Sequence, residues 1–244
     1  MPDVVIWALG DLHLPGGQDK SMAVFGPHWI DHAERIEKSW RVLVSEDDWV
    51  LVPGDISWAM RLSDAREDLD WLGALPGRKI ILRGNHDYWW SSLSKVRSAL
   101  AEGTMALQND AIDTGGPVVA GARGWILPGA EGYDPQSDQR YVNRELERLR
   151  LSLRAAEEMG AGRPGRPLIA MTHYPPIQGG RATVFSRLMT AMGVSICVYG
   201  HLHRAGQWPE DLDSEVDGVR YLLASADYAG FTPRLVWSGD AECS

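Results

Sequence analysis

The chain has 244 residues, of which 44% are hydrophobic and 23% are charged, and its formal net charge is −9. This length suits one α/β domain with a full core, and we predict a single domain over residues 1–244. The acidic balance disfavours a stable nucleic-acid partner or an anionic membrane surface, because both require basic protein surface. The chain start lacks a basic secretion signal and no apolar run approaches the ~20 residues of a membrane span, so we predict a cytoplasmic protein. We expect a buried thiol at Cys197 and a frayed end at Cys243 rather than a disulfide framework.

Apolar runs that end at glycine or polar residues predict strands, and apolar residues at helical spacing predict helices. The predicted strands are 4–9, 49–52, 80–82, 118–120, 168–171, 196–199, 219–224 and 234–237, with the last two expected to be antiparallel. The predicted helices are 29–44, a segment capped at Ser63 or Asp64 that runs to about residue 72, 92–101, 139–159 and 184–192. This order predicts an α/β fold in which helices flank the sheets and the site lies at the carboxyl ends of the strands.

The loop 14–27 is rich in glycine and proline and is long enough to act as a mobile flap. We interpret its Lys20 as a solvated side chain, with a phosphate contact as the alternative. His28 and His32 lie four residues apart, a spacing that can chelate a metal on a helix, but no glutamate follows the first histidine. Capping and solvated surface are therefore the preferred interpretation of this pair.

Polar side chains follow five of the predicted strands, at the point where each strand ends. The strand at 80–82 leads into Arg83-Gly84-Asn85-His86-Asp87, and the four other ends carry further carboxylates and imidazoles. Five of the seven histidines in the chain lie at these ends. The candidate ligands are Asp11, His13, Asp55, Asn85, His173, His201 and His203.

These donors are typical of a metal site. Carboxylate and imidazole without thiolate suit Mn, Fe or Zn rather than a structural zinc knuckle. Seven donors are too many for one ion but suit two ions if one carboxylate bridges them, and such a pair forms the clamp used for in-line displacement at phosphorus. The Asp11-x-His13 and His201-x-His203 spacings place alternate side chains on one side of an extended segment, so both members can reach a metal.

Five motifs occur in a fixed order along the chain: Asp11-x-His13, Gly54-Asp55, Gly84-Asn85-His86-Asp87, His173 and Gly200-His201-x-His203. Together they resemble the motifs of the calcineurin-like metallophosphoesterase superfamily, and the chain is most similar to its bacterial-type single-domain phosphohydrolases. All five are intact and they span residues 11 to 203.

The resemblance implies a four-layer α/β/β/α sandwich with a dinuclear metal site at the carboxyl ends of the strands. It also implies that one ion is held by Asp11, His13 and His203, that the other is held by Asn85, His173 and His201, and that Asp55 bridges them. A hydroxide held between the two ions would attack phosphorus in line. The cofactors are then two divalent or trivalent ions, Mn, Fe or Zn, with Mn expected to serve in vitro.

Two residues of the central motif are predicted to be catalytic. His86 lies beside a ligand but is not one in the family pattern, so it can donate a proton to the leaving group. Asp87 either orients the His86 ring or caps the following segment, and both interpretations stay open.

Substrate contacts are predicted for Arg83, Arg123 and a tryptophan. Arg83 resembles the phosphate-binding arginine that precedes this motif in Ser/Thr protein phosphatases, and its fork can hold two phosphoryl oxygens. An ion pair with an acid is the alternative for Arg83. Arg123 is supported only by its strand-tip loop. Trp58, Trp89 and Trp90 lie directly beside motif residues, and each is a candidate for an aromatic wall that accepts a nucleobase or aryl group, with a core position as the alternative; Trp89 is the one predicted to contact substrate.

We therefore predict a phosphohydrolase that acts on small phosphoesters, including nucleotide-like ones, and favour a broad-specificity phosphodiesterase. A phosphomonoesterase or protein phosphatase is the alternative that Arg83 favours, although Asp87 stands where Ser/Thr phosphatases have glutamate. The acidic composition disfavours a nuclease. A non-catalytic scaffold is disfavoured by the intact ligand set.

Overall fold

The structure is a computed structural model that describes residues 4–17, 22–204 and 206–239. Lys20 and Cys243 therefore lie outside the described residues. The strands are β1 Val5–Ala8, β2 Trp49–Val52, β3 Arg78–Ile81, β4 Thr104–Ala106, β5 Ala111–Asp113, β6 Val118–Gly121, β7 Leu168–Met171, β8 Ile196–Tyr199, β9 Ser214–Val216, β10 Val219–Leu223 and β11 Arg234–Ser238. The helices are α1 His32–Leu43, α2 Arg66–Gly73, α3 Leu93–Ala99, α4 Pro135–Glu158 and α5 Val184–Ala191.

The strands form two sheets. The first has the order β11-β1-β2-β3-β4, and the second has the order β5-β6-β7-β8-β10-β9. β1 to β4 are parallel, and so are β6, β7, β8 and β10, whereas β11, β5 and β9 pair antiparallel at the edges. The carboxyl ends of the parallel strands of each sheet therefore lie along one edge of that sheet.

Successive side chains along a strand point alternately to the layer between the two sheets and to a helical layer. In β2, Trp49 and Leu51 point into the layer between the two sheets, while Val50 and Val52 point toward the helices. The first helical layer packs Ile36, Trp40, Leu69, Leu72 and Val96 of α1 to α3 on the first sheet. The second packs Val142, Leu149, Leu153, Phe185 and Met189 of α4 and α5 on the second sheet. The predicted four-layer α/β/β/α sandwich is confirmed.

Differences from the predicted elements lie mainly at element ends and at short edge strands. The sequence pattern missed β4, β5 and β9, which have three residues each and are too short to show a period. α1 begins at His32 rather than at 29, because Asp31 has a left-handed backbone with φ 53° and ends the short 3₁₀ turn Pro27–Trp29. Ala65 precedes α2, so neither Ser63 nor Asp64 caps it.

Two predicted single residues can also be compared with the structure. Cys197 is a fully buried free thiol, as expected. His32 was predicted to be a cap or solvated, but it is half-buried, with Nε2 3.1 Å from the carbonyl oxygen of Leu12. Within the described residues, no helix combines the length and the apolar character needed to cross a bilayer.

Candidate metal centre

The loops after the parallel strands bring the candidate ligands together. Asp11 follows β1 and Asp55 follows β2, and the two loops are joined because the N–H of Asp11 donates to the carbonyl of Gly54 at 2.9 Å. His173 follows β7 and is joined to the loop after β8, where the N–H of Gly200 donates to the His173 carbonyl at 3.1 Å. The N–H of His201 donates to the carboxylate of Asp11, which connects the two sheets. These four strand ends therefore meet at one site, and Asn85 after β3 joins them through its contacts with His173 and His201.

Asp11, His13 and His203 form the first cluster. The Nε2 atoms of His13 and His203 lie 3.1 Å apart, and Nε2 of His203 lies 3.6 Å from Oδ1 of Asp11. One donor atom from each residue falls within 4.8 Å of the others, which is the spacing that a single ion can span. Asp11 and His13 are buried, and His203 is the solvent-facing member.

Asn85, His173 and His201 form the second cluster. Oδ1 of Asn85 lies 2.6 Å from Nε2 of His173 and 2.8 Å from Nδ1 of His201. The two imidazole nitrogens are themselves 3.3 Å apart. Three donor atoms thus converge on one point.

Asp55 lies between the two clusters. Its Oδ2 is 3.9 Å from Nε2 of His13 and 3.6 Å from Nε2 of His173. Its other oxygen, Oδ1, accepts the main-chain N–H of His86 at 2.8 Å, which fixes the carboxylate. One oxygen of Asp55 therefore faces both clusters, as a shared ligand must.

Metal binding requires neutral imidazole rings, and the pKa shifts of His13, His173 and His201 favour that state in the metal-free protein, whereas the shift of His203 does not. Burial lowers the pKa of His173 to about 3 and that of His201 to about 4. Burial also lowers the pKa of His13 well below its usual value. Burial opposes ionisation of His203 too, but contacts with Asp11 and Asp227 raise its pKa to about 10.

The pKa values of the two buried carboxylates shift in opposite directions. Burial, and then the negative charges of Asp87 and Asp11, raise the pKa of Asp55 to about 9. Burial also acts to raise the pKa of Asp11, but the neighbouring His203 outweighs it and holds the pKa below the usual range. Buried like charges destabilise each other unless a cation lies between them. The donor set and its charge thus fit divalent cations.

Hydrogen bonds outside the clusters fix two of the rings. Nδ1 of His173 lies 3.0 Å from the carbonyl oxygen of Pro53, which can only accept, so Nδ1 carries the hydrogen and Nε2 offers its lone pair. Nδ1 of His203 likewise lies 3.0 Å from Oδ1 of Asp227. Ser225 donates to Oδ2 of Asp11 at 2.9 Å.

Sequence analysis missed Ser225 and Asp227. Both follow the strand at 219–224, which was predicted as a closing strand, so the rule that polar residues follow strand ends applied there too. β10 is parallel to β8 and ends at the same edge, which is why these residues reach Asp11 and His203.

The backbone of the site adopts sparsely populated conformations. Among the described residues, eight that are not glycine have positive φ, and four of these are candidate ligands: Asp11 at 53°, His13 at 45°, Asp55 at 51° and His201 at 76°. Such conformations cost free energy and concentrate at functional sites.

Two motif glycines allow the close approach of these ligands. A Cβ atom at Gly84 would overlap the carboxylate and main chain of Asp55, and one at Gly200 would overlap the carboxylate of Asp11. The glycines of these motifs are therefore required by the packing of the ligands.

The family follows from comparison with known proteins. Residues 4–205 match the family described as calcineurin-like phosphoesterase. The chain belongs to this family. Membership implies divalent metal ions, and two groups of described residues offer donor atoms within 4.8 Å of one another: Asp11, His13 and His203, and Asp11, Asp55 and His173.

Individual relatives are distant. The Gene 66 protein of Mycobacterium phage L5 is 31% identical over 81 residues, which cover 33% of this chain and 39% of that protein. The structure of the phosphopantetheinyl hydrolase PptH from Mycobacterium tuberculosis has a TM-score of 0.55 at 18% identity, covering 96% of each chain. A protein of unknown function from Aquifex aeolicus has a TM-score of 0.52 at 16% identity, covering 95% of each chain. These two structures show the shared fold.

The hydrogen bonds of the Asp87 carboxylate differ from both interpretations of the sequence, which were orientation of the His86 ring and capping of the following segment. Its carboxylate is fully buried and accepts five N–H groups at 2.7 to 3.2 Å, so it neither orients His86 nor caps the following segment. The donors are the main-chain N–H groups of Asp55, Ile56, Ser57 and Gly84 and the indole of Trp89. Asp87 thus joins the loop after β2 to the loop after β3, and these loops carry Asp55 and Asn85.

The role of Asp87 predicts a loss of stability. In Asp87→Asn the side-chain amide would face several of these N–H donors, and each buried donor left without an acceptor costs about 1–3 kcal/mol. We expect the free energy of unfolding to fall by about 3 kcal/mol, measured by urea denaturation, together with weaker metal retention. Asp64→Asn, at an exposed aspartate, is the control and should change neither quantity. An unchanged urea midpoint for Asp87→Asn would contradict this role.

Trp89 occupies a core position, the alternative that the sequence left open. It is 1% exposed and its indole donates to Asp87, so its ring has no free face. The tryptophan beside the candidate ligands is Trp58, which stacks on His13 with ring centroids 4.9 Å apart and also packs 4.6 Å from His86. Of the three tryptophans named from the sequence, Trp58 is therefore the one beside the first cluster.

Two pockets adjoin the candidate ligands in the described structure. The aromatic pocket, of about 330 Å³, adjoins the first cluster, and the apolar pocket, also of about 330 Å³, adjoins the second. The aromatic pocket is lined by His13, Phe25, Trp29, Trp58, His86 and His203. The apolar pocket is lined by Trp125, Leu127, Tyr174, Ile177, His201 and Leu202. Arg83 and Arg123 line neither of them.

Proposed function

We propose that this calcineurin-like phosphoesterase is a dinuclear-metal hydrolase and that it acts as a phosphodiesterase of broad specificity. The convergence of the six other candidate donors around the carboxylate of Asp55 is the observation that supports it. In this proposal the first cluster holds one ion, the second cluster holds the other, and Asp55 is their shared ligand.

The donor set supports Mn, Fe or Zn at both positions, because the clusters offer oxygen and imidazole nitrogen but no thiolate. When bound, the ions would supply an activated water and stabilise the charge that develops on the phosphoryl group. Asn85, His173 and His201 lie within 3.3 Å of one another and Asp55 is tied to the His86 N–H, so the protein holds the ligand geometry in advance.

His86 is proposed to protonate the leaving oxygen. Its ring lines the aromatic pocket together with His13 and His203, so it faces the space in front of the first cluster. Trp58 packs against the ring and restricts its orientation. A positioned imidazole that donates a proton in the transition state contributes about 10²–10⁴-fold to the rate.

The diester preference rests on the two pockets. A phosphodiester carries two organic substituents on phosphorus, and the structure offers an aromatic pocket beside the first cluster and an apolar pocket beside the second. Trp58 presents an aromatic surface in the first pocket, and stacking on such a surface accepts many ring systems, including nucleobases. A substrate with one group in each pocket would place its phosphorus between the clusters.

A phosphomonoesterase, including a protein phosphatase, is the alternative. A monoester dianion needs additional positive charge at the phosphoryl group, and the arginines that could provide it, Arg83 and Arg123, line a separate pocket. This placement favours the diesterase.

The test is the ratio of kcat/KM for bis(p-nitrophenyl) phosphate to that for p-nitrophenyl phosphate, measured on protein stripped of metal and reloaded with Mn²⁺. We expect a ratio well above one. A phosphopantetheinyl diester belongs in the following substrate screen, because the phosphopantetheinyl hydrolase from M. tuberculosis shares the fold.

Either of two results would contradict the proposal. A ratio well below one would identify a phosphomonoesterase and would overturn the diester preference. Hydrolysis of neither ester by protein that retains its Mn²⁺ would identify a non-catalytic metal-binding scaffold.

A further inference from the structure

A third pocket, which we call the basic pocket, has a volume of about 240 Å³ and is lined by Arg83, which lies two residues before Asn85 of the second cluster. Residues from the loops after β3, β4 and β6 meet one face of α4 there. Its charged lining residues are Arg83, Arg123, Arg144, Arg148 and Glu145. Four guanidinium groups against one carboxylate leave an excess of three positive charges in a protein whose net charge is −9.

The two arginines on α4 already neutralise the one carboxylate. Arg148 lies 2.8 Å and Arg144 lies 3.1 Å from Oε1 of the buried Glu145. The second carboxylate oxygen of Glu145, Oε2, has no hydrogen-bond partner in the described structure, so it remains as an unpaired acceptor. The ion pairs within α4 therefore account for Arg144, Arg148 and Glu145, but not for the two remaining arginines.

Arg83 and Arg123 form no ion pair with any described residue. The Nε atom of each is buried without a hydrogen-bond partner among the described residues. The Arg123 guanidinium also packs over the ring of Trp125, with its Cζ 4.6 Å from the ring centroid. Because partly buried guanidinium groups without an ion pair are costly, a bound anion would stabilise this arrangement.

The main chain links two lining residues of the basic pocket to residues of the second cluster. Arg83 lies two residues before Asn85 in the same loop. The carbonyl oxygen of Arg123 accepts the N–H groups of His173 and Tyr174, both at 3.0 Å. An anion in this pocket is thus held by residues directly linked to two ligands of the second cluster.

We propose that the basic pocket binds a second phosphate group of the substrate whose ester lies at the metal centre. Guanidinium forks match the oxygens of a phosphate dianion, and the volume of the pocket suits a single phosphate group rather than a whole nucleotide. This inference rests on the proposed function and narrows the substrate class to diesters that carry an additional phosphate.

The kinetic test uses two chromogenic diesters that differ only in that phosphate. They are thymidine 5′-(p-nitrophenyl phosphate) and the same ester with a 3′-phosphate, both assayed with the Mn²⁺-loaded full chain. The 3′-phosphate should raise kcat/KM at least about tenfold in the wild-type protein, because hydrogen bonds between charged groups are strong. The phosphate ratio is kcat/KM for the ester with the 3′-phosphate divided by kcat/KM for the ester without it. In an Arg83→Gln/Arg123→Gln double variant this phosphate ratio should fall to about one, and each single variant should give an intermediate value. Arg150→Gln, on α4 outside the pocket, is the matched control and should keep the wild-type ratio.

A binding measurement separates this inference from the proposed function. Isothermal titration calorimetry of inorganic phosphate into the Mn²⁺-loaded chain should show a site that the double variant loses and Arg150→Gln retains. Identical isotherms for the wild-type and double-variant proteins would overturn the basic pocket as an anion site. The double variant could lose the phosphate site while the wild-type protein hydrolyses the two esters with equal kcat/KM. That result would show that the pocket binds a free anion and would overturn the substrate assignment. If neither ester is hydrolysed, the proposed function fails while the calorimetry still reports on the pocket.

Discussion

Replacing Asp55 by alanine should remove both bound ions and abolish turnover together. Asp55 is the side chain whose oxygen faces both clusters, at 3.9 Å from His13 Nε2 and 3.6 Å from His173 Nε2. Loss of an outer partner of a metal ligand costs about 10–100-fold in affinity or activity, so loss of a shared ligand should cost more than about 100-fold in both. Metal content after gel filtration and kcat/KM for bis(p-nitrophenyl) phosphate are the two measurements.

A second variant separates this effect from misfolding. Asp55→Asn keeps the side-chain shape, and asparagine tolerates the left-handed backbone at this position. Without metal it should be at least as stable as the wild-type protein, because burial and the charges of Asp87 and Asp11 disfavour an ionised Asp55. With metal it should still lose ions and activity. An Asp55→Asn protein that keeps two ions and full activity would refute the shared-ligand assignment.

Replacing His86 by alanine should leave both ions bound but slow catalysis. The ring is proposed to give a proton to the leaving oxygen, so the loss should reach about 10²–10⁴-fold for a methyl ester, whose alkoxide leaves poorly. For the p-nitrophenyl ester of the same phosphate the loss should be much smaller, because that leaving group departs without protonation. Kcat for the two esters and metal content are measured on the same preparations.

His28→Ala is the matched control, because His28 lines the same aromatic pocket but belongs to no ligand loop. It should change kcat for both esters by the same small factor. If His86→Ala slows the methyl and p-nitrophenyl esters equally, His86 does not act as the acid. If it releases metal, His86 has a structural role at the first cluster.

The candidate ligands could be predicted from the sequence more completely than the residues that surround them. The ligands were predicted because each follows an apolar strand within a few residues, and parallel strands end at one edge of a sheet. Period-two alternation along β2 likewise separates its two faces, which the four-layer sandwich requires. The motif glycines at 84 and 200 were visible as breaks in the apolar runs, although the close contacts that require them were not.

Other roles depend on contacts between segments far apart in the chain. Asp87 looked like a neighbour of His86, but its carboxylate turns toward main-chain donors about 30 residues away. Trp89 and Trp58 both lie near motifs, and only packing decided that the first is core and the second faces His13. The basic pocket joins Arg83 and Arg123 to a face of α4 that no local pattern relates to them.

The sequence alone determined which donor groups this protein can offer and the order of its helices and longer strands, but not the three-residue strands β4, β5 and β9. Spacing along a strand or helix is a local property, and the donor types of the five strand ends are written directly in the sequence. The tertiary structure decided which oxygen of Asp55 faces both clusters, which aromatic ring borders them and where uncompensated positive charge collects. Those features depend on side-chain direction and burial, which arise only when the two sheets and their helices pack.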